Sequence, residues 1–255
     1  MLLAIDVGNT QTVVGVYKGS DLAGSWRVAT NKSHTADELR IKLMPLFESA
    51  GLSFEGVRAS ALASVVPQLT HAWVSALRCL TGSNALVCTA RFAIEKGLFQ
   101  TAYPQPSEIG ADRVADAVAA LARYGAPAVV VDFGTATNIE VIDREGRFVG
   151  GIIAPGVETS ASALFSHATR LAAIELADPG CAIGTSTETA MRSGIVYGEA
   201  DRVDGLVRRI FAQLGYETPV IATGGLANLM ARYTETITHV DGDLTLEGLR
   251  LIAEA

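Results

Sequence analysis

The sequence predicts an α/β fold of two similar domains, each a mixed five-stranded sheet with flanking helices. Three observations carry that reading. The stretch Ala4-Ile5-Asp6-Val7-Gly8-Asn9-Thr10-Gln11-Thr12 occurs a second time as Val130-Val131-Asp132-Phe133-Gly134-Thr135-Ala136-Thr137-Asn138. The offset from Asp6 to Asp132 is 126 residues, about half of the 255-residue chain, and it also aligns Leu22 with Phe148 and Gly24 with Gly150. Each copy has an apolar run ending in Asp, a polar turn with Gly, and a second apolar run, which is the pattern of strand, tight turn and strand. Each copy then leads into a third strand, and helical and strand patterns alternate after it.

The elements follow in order. Residues 2–7, 11–17 and 22–28 read as an antiparallel meander, with Lys18-Gly19-Ser20-Asp21 as one of its turns. Thr35 and Glu38 form a capping box for a helix running to about Ala50, with Pro45 kinking or dividing it. A strand is expected at 57–66, a helix at about 68–81 and a short apolar strand at 84–89. Residues 96–109, with Tyr103-Pro104-Gln105-Pro106, read as a structured loop. An alanine-rich helix follows over about 111–123. Gly125-Ala126-Pro127 then marks a boundary between domains 1–125 and 126–255. The second half predicts strands at 128–133, 137–143 and 147–154, a helix at about 157–166 and a long helix at about 188–213. Gly194 and Gly198 within that helix point to close packing or to ligand approach. A strand at 219–223, a short helix, a strand near 237–240 and a helix from about 244 complete the plan.

Composition narrows the function classes. Hydrophobic residues make up 49% and charged residues 18%, enough for large cores. The net charge is −7 and there is no long Lys/Arg run, which argues against a nucleic-acid surface. Cys79, Cys88 and Cys181 are far apart with no CxxC spacing, so reduced thiols and a cytoplasmic setting are expected, each cysteine a small core or surface residue. The four histidines lack zinc spacing. No signal-peptide pattern and no apolar run of ~18 residues is present, so no membrane association is expected.

The repeated turns carry the chemistry. Gly allows close approach of backbone to a ligand, N–H groups of such a turn bind phosphate oxygens, and the Asp can hold a metal ion. Two facing copies would grip a nucleotide's phosphates between two related domains. The plainer reading is a pair of ordinary hairpins.

Two halves of this plan resemble the actin, sugar-kinase and Hsp70 ATPase superfamily, and Thr223-Gly224-Gly225 after a late strand resembles its adenosine motif. Within it, the chain resembles the type III pantothenate kinases over nearly its whole length. The resemblance rests on Asp6-Val7-Gly8-Asn9-Thr10, Gly110-Ala111-Asp112-Arg113, Asp132-Phe133-Gly134-Thr135-Ala136-Thr137, Gly150-Gly151-Ile152-Ile153-Ala154-Pro155-Gly156 and Thr223-Gly224-Gly225-Leu226-Ala227. It implies ATP-dependent phosphorylation of pantothenate, the first step of coenzyme A synthesis, by a homodimer whose substrate site is completed at the interface. It implies a first phosphate loop of Asp6, Val7, Gly8, Asn9, Thr10, Gln11, Thr12 and Val13, with Asp6 near Mg2+. Asp112 would be the general base. Gly110, Ala111, Asp112, Arg113, Tyr103 and Thr187 would border pantothenate. Thr135 would contact ATP, and Asp132 would bind a monovalent cation, K+ or NH4+. The chain departs from the family pattern at Asn138-Ile139-Glu140, at Ser186 and at Gln105.

Each motif has a structural rival. Gly110-Ala111-Asp112-Arg113 also reads as a helix start with an acidic first turn, which leaves Arg113 at the surface. Tyr103 also reads as a packed loop aromatic, and Thr187 as a helix N-cap. Thr223-Gly224-Gly225 also reads as a plain strand-to-helix turn, and Asp132 as bonding its own turn. An Asp has an ordinary pKa of ~4, and Arg113 beside it is expected to keep Asp112 ionised. Two other functions share the fold: a nucleotide-driven regulator with no small-molecule acceptor, and a kinase for another alcohol or acid.

Overall fold

The computed structural model describes residues 1–167 and 174–255. They form two compact units, one of residues 1–122 with 244–255 and the other of residues 123–243.

The first unit opens with β1 (Leu2–Val7), β2 (Gln11–Lys18) and β3 (Asp21–Ala29), the expected meander. Helix α1 (Ala36–Ser49) starts at the expected capping box: Thr35 Oγ1 accepts from the Glu38 N–H, and Glu38 accepts from the Thr35 N–H. It continues through Pro45 as one helix. Strand β4 (Ala59–Ser64), helix α2 (Pro67–Thr81) and the short strand β5 (Leu86–Val87) follow. The sheet order is β3-β2-β1-β4-β5, with β1 antiparallel to β2 and parallel to β4. Alternation along β1 sorts its side chains onto the two faces. Leu3, Ile5 and Val7 join Leu43 and Phe47 of α1 and Leu69, Trp73 and Leu77 of α2 in one buried core.

A helix not foreseen, α3 (Ala90–Glu95), is capped by Thr89, whose Oγ1 accepts from the Phe92 N–H. Within the expected loop lie a two-residue strand, β6 (Gln100–Thr101), and a 3-10 turn at Pro106–Glu108. Helix α4 (Ala111–Tyr124) then buries Val114 to Ala120 almost completely.

The second unit repeats the meander as β7 (Ala128–Phe133), β8 (Ala136–Ile142) and β9 (Arg147–Pro155). Helix α5 (Val157–His167) and the long helix α6 (Thr187–Leu214) follow. Strand β10 (Val220–Gly224), the short helix α7 (Ala227–Met230) and strand β11 (His239–Val240) complete it. Its five strands run in the order β11-β10-β7-β8-β9, the same plan as the first unit. Val129, Val131 and Phe133 of β7 pack on Val196, Val203 and Val207 of α6.

The repeat is not gapless in space. Strands β1 and β7, and β3 and β9, are related by the 126-residue offset seen in the sequence. Strands β2 and β8 are related by 125 residues, Gln11 to Ala136. Val7 pairs with Thr12, leaving Gly8 to Gln11 as the first turn; Phe133 pairs with Thr137, leaving Gly134 to Ala136 as the second. The second acid turn is therefore one residue shorter, and the loop between β8 and β9 restores the register. The strand expected from residue 137 accordingly begins at Ala136. The residue matching Thr12 in space is Thr137, not Asn138.

Helix α8 (Leu244–Glu254) corrects the expected division at 125/126. It belongs to the first unit, where it packs on β1 and β4. Leu244, Leu246, Leu249 and Ile252 are buried, and burying each stabilises the unit by about 2 kcal/mol. Thr245 Oγ1 donates to Asp116 of α4 at 2.6 Å. Gly248 permits the close crossing of α4: a Cβ there would lie 1.9 Å from the Ala115 carbonyl oxygen.

Candidate functional site

Each unit gathers one set of the predicted side chains. In the first unit, β1 ends at the acid turn. Asp6 is partly buried on β1, beside Val13 on β2 and Ala63 on β4. Asn9, Thr10 and Gln11 are exposed at the turn, and Val7 is buried beneath it. The Gly8 N–H donates to the Gln11 carbonyl at 3.0 Å, and a Cβ at Gly8 would lie 2.8 Å from that oxygen, so the tight turn requires glycine. Thr12 is buried, its Oγ1 2.8 Å from Thr30 Oγ1.

Gly110, Ala111, Asp112 and Arg113 form the start of α4. The Asp112 carboxylate accepts from the Arg113 N–H at 2.8 Å, satisfying a first-turn donor of the helix. A Cβ at Gly110 would lie 2.4 Å from Asp112 Oδ1, so glycine leaves the room that carboxylate occupies. Burial is the main influence on Asp112 and pushes its carboxyl above the usual range; the Arg113 N–H and then the Arg113 charge pull it back in part. This corrects the expectation that Arg113 governs ionisation. It also removes the surface reading of Arg113, which is only 6% exposed.

Cys88 was read only as a small core or surface residue, and it lies beside these acids. It is buried, with Sγ donating to the Ala111 carbonyl at 3.7 Å. Burial, and then the charges of Asp112 and Asp6, push its thiol up to about 12. Both acids thus lie near enough for their charge to act on the thiol, which stays neutral. Tyr103 is partly buried in the loop before α4, its N–H donating to Thr101 Oγ1 at 3.0 Å.

In the second unit, Gly134 and Thr135 are exposed at the shorter acid turn, and Asp132 is partly buried behind it. The Thr135 carbonyl accepts from the Gly156 N–H at 3.1 Å and from Thr159 Oγ1 at 2.6 Å. A Cβ at Gly156 would lie 2.3 Å from the Gly134 carbonyl oxygen. The glycine that closes β9 therefore lets α5 start against the turn. Gly224 has φ +90, and a Cβ there would lie 2.3 Å from Asp132 Oδ1 and 2.7 Å from the Phe133 carbonyl oxygen. Glycine at 224 thus lets the backbone pass close against the Asp132 carboxylate and the Phe133 carbonyl. A carboxylate and a carbonyl are oxygen donors of the kind a hard cation takes. Asp6 offers one carboxylate, which suits Mg2+ carried on nucleotide phosphates. Among the described residues, no three His, Cys, Asp or Glu side chains converge on a metal position.

Thr187 is not the N-cap of α6. Ser186 is: its Oγ accepts from the Thr189 N–H, and Thr189 Oγ1 accepts from the Ser186 N–H. Thr187 is the first helical residue, and its side chain lines a cavity of about 760 Å3 between α5 and α6. Gly194 and Gly198 line the same cavity, and a Cβ at either meets nothing within 4 Å. Their expected close packing is absent; they leave open space. Glu199 and Arg202, also in the lining, escaped the sequence reading. The available signal was Glu199 itself, an acid beside the buried stripe of Val196, Ala200 and Val203.

Comparison with known proteins gives one family. A family model described as type III pantothenate kinase matches residues 2–209. The chain is 44% identical to the type III pantothenate kinase of Brevibacillus brevis, covering all of this chain and 98% of the relative. It is 45% identical to that of Frankia alni, covering all of this chain and 99% of the relative. Among solved structures, component A of the Acidaminococcus fermentans (R)-2-hydroxyglutaryl-CoA dehydratase superposes with a TM-score of 0.61 at 16% identity, covering 99% and 96% of the two chains. The ROK hexokinase of Thermus thermophilus superposes with a TM-score of 0.53 at 15% identity, covering 99% and 98%. These likenesses show the fold alone, one shared with a sugar kinase.

Proposed function

The chain belongs to the type III pantothenate kinase family, and from that premise we propose that it transfers the γ-phosphoryl group of ATP to the terminal primary hydroxyl of pantothenate, the first step of coenzyme A biosynthesis. The observation that carries the reading is the partly buried Asp112 carboxylate at a glycine-preceded helix start, its charge and that of Asp6 of the first acid turn both acting on Cys88. The pantothenate oxygen attacks the γ-phosphorus, the bond from phosphorus to the β-phosphate oxygen breaks, and ADP leaves. Asp112 takes the hydroxyl proton. A carboxyl raised by burial is a better base near neutral pH than an ordinary Asp.

In this reading Asp6 to Val13 and Thr135 bind ATP. Gly110 to Arg113, Tyr103 and Thr187 border pantothenate. Phosphoryl transfer depends mainly on positioning and on neutralising phosphate charge, which Mg2+ bound with ATP supplies. Asp132 holds K+ or NH4+; the support is its carboxylate lying with the Phe133 carbonyl at the second acid turn, both against Gly224. Replacing K+ by Na+ should lower turnover strongly, and Asp132→Ala should abolish both the difference and most activity. Equal rates in the two salts would exclude a cation at Asp132.

A homodimer in the cytoplasm completes the reading. The support is exposed apolar surface on the second unit, with Ile153 67% and Ile183 84% exposed and Leu164 of α5 also open to solvent. Among the described residues, no helix is long and apolar enough to cross a membrane.

The deciding test is ADP release, measured with and without pantothenate, together with detection of phosphopantothenate. Release that depends on pantothenate is expected. Release driven only by another acceptor would overturn the substrate.

A further inference from the structure

The second acid turn is held from behind by α6, through a residue pair with no counterpart in the first unit. Thr137 is 1% exposed, and its Oγ1 donates to Glu199 Oε1 at 2.6 Å. Glu199 is itself buried, and its other oxygen pairs with Arg202 Nη2 one turn along the helix. The same guanidinium nitrogen donates to the Pro155 carbonyl at 2.6 Å. Thr137 is the second residue of β8 and Pro155 the last of β9, and Pro155 lies opposite Ala136 in the ladder. The pair therefore grips β8, which leaves the turn, and the end of β9 paired beside it. Immediately beyond Pro155, the Gly156 N–H holds the Thr135 carbonyl. In the first unit the matching threonine, Thr12, bonds only locally, to Thr30 of the same meander.

We propose that Glu199 and Arg202 are positioning residues for nucleotide binding: they fix the Gly134–Ala136 turn so that Thr135 meets the phosphates. The proposal rests on the reading that this turn binds ATP. Neither Thr137 nor Glu199 needs to touch the nucleotide, since both are buried. A turn one residue shorter than its twin has less backbone with which to adapt. A charge-assisted hydrogen bond to the strand behind it fixes its geometry before ligand arrives, and preorganisation of this kind raises affinity. Glu199 and Arg202 also line the cavity shared with Thr187. The pair is thus within reach of anything that fills that space.

The test is direct binding of a non-hydrolysable ATP analogue to the full chain, with KM for pantothenate and melting temperature measured alongside. Thr137→Val removes the hydroxyl at nearly constant shape; Thr137→Ser keeps it. Glu199→Gln removes the charge. Thr137→Val should weaken nucleotide binding about 10-fold, the factor expected for losing a hydrogen bond to a charged group, and Glu199→Gln, which keeps an acceptor for Thr137 without the charge, should weaken it less. For Thr137→Val, which lies outside that cavity, KM for pantothenate should stay within about twofold, and Thr137→Ser should retain wild-type nucleotide affinity within the same margin. The double variant Thr137→Val with Glu199→Gln should be no weaker than the worse single one, because both act through one contact. A folded Thr137→Val with unchanged affinity overturns the proposal, as does a loss that Thr137→Ser shares. If Glu199→Gln fails to fold, the two Thr137 variants decide alone. Wild-type protein that binds no ATP analogue overturns the kinase reading itself, and the proposal with it.

Discussion

Asp112 is where local geometry sets a chemical property. Gly110 makes room for the carboxylate, the Arg113 N–H fixes one oxygen, and burial raises the pKa. A carboxyl raised by folding binds its proton more tightly in the native than in the unfolded chain. Its ionised form therefore costs stability above its folded pKa, and the cost vanishes below the unfolded value of ~4. Asp112→Asn should melt no lower than wild type at neutral pH, and its relative stability should decline as pH falls toward ~4. Turnover should fall by roughly 10²–10⁴, the range for a lost general base. The acid limb of kcat/KM in wild type should lie above that of an ordinary Asp. A variant with normal turnover would leave Asp112 only its bond to the Arg113 N–H. Cys88 gives an independent readout of the same neighbourhood. Buried and with its thiol pushed up to about 12, it should resist a thiol reagent at pH 8, whereas the exposed Cys79 and Cys181 react. Native protein should titrate two thiols and unfolded protein a third.

At the scale of elements, most of the fold was legible because periodicity and caps are local. The meanders, the Thr35 and Glu38 capping box and the alanine-rich α4 lie close to their expected bounds. The one-residue slip between β2 and β8 was hidden, since a shorter turn compensated by a longer loop leaves the end-to-end offset unchanged. Helix α3 is too short for a clear period, and only Thr89 marks it. Of the candidate site, the turns at Asp6-Val7-Gly8, Gly110 and Asp132 were legible because a glycine turn constrains its own neighbours in sequence. Cys88 and Glu199 were not, because their partners Ala111 and Thr137 are distant along the chain. The crossing of α4 and α8 at Gly248 was equally invisible, and it carries a prediction. Gly248→Ala forces a methyl group onto the Ala115 backbone, which cannot swing aside as a side chain would. Overpacking of this kind should cost about 1–3 kcal/mol despite alanine's better helix propensity, and chemical denaturation reads it. An unchanged or raised midpoint would show that the helices separate freely.

For the whole molecule, the exposed Ile153 and Ile183 predict self-association at assay concentration. Light scattering should give twice the chain mass of 26.7 kDa, and a monomer would count against the homodimer. The return of α8 to the first unit sets a different constraint, on the order in which the protein is made. A ribosome releases residues 1–122 well before residues 244–255 exist, and everything between them is the other unit. Nascent domains ordinarily fold as they emerge, first one and then the next. Here the first unit emerges lacking the helix that covers β1 and β4, and it stays incomplete until residues 123–243 have passed. The second unit, continuous in sequence, is free to fold first. The earliest-made half of this kinase is thus the last to finish, with one apolar face of its sheet waiting for α8 throughout elongation.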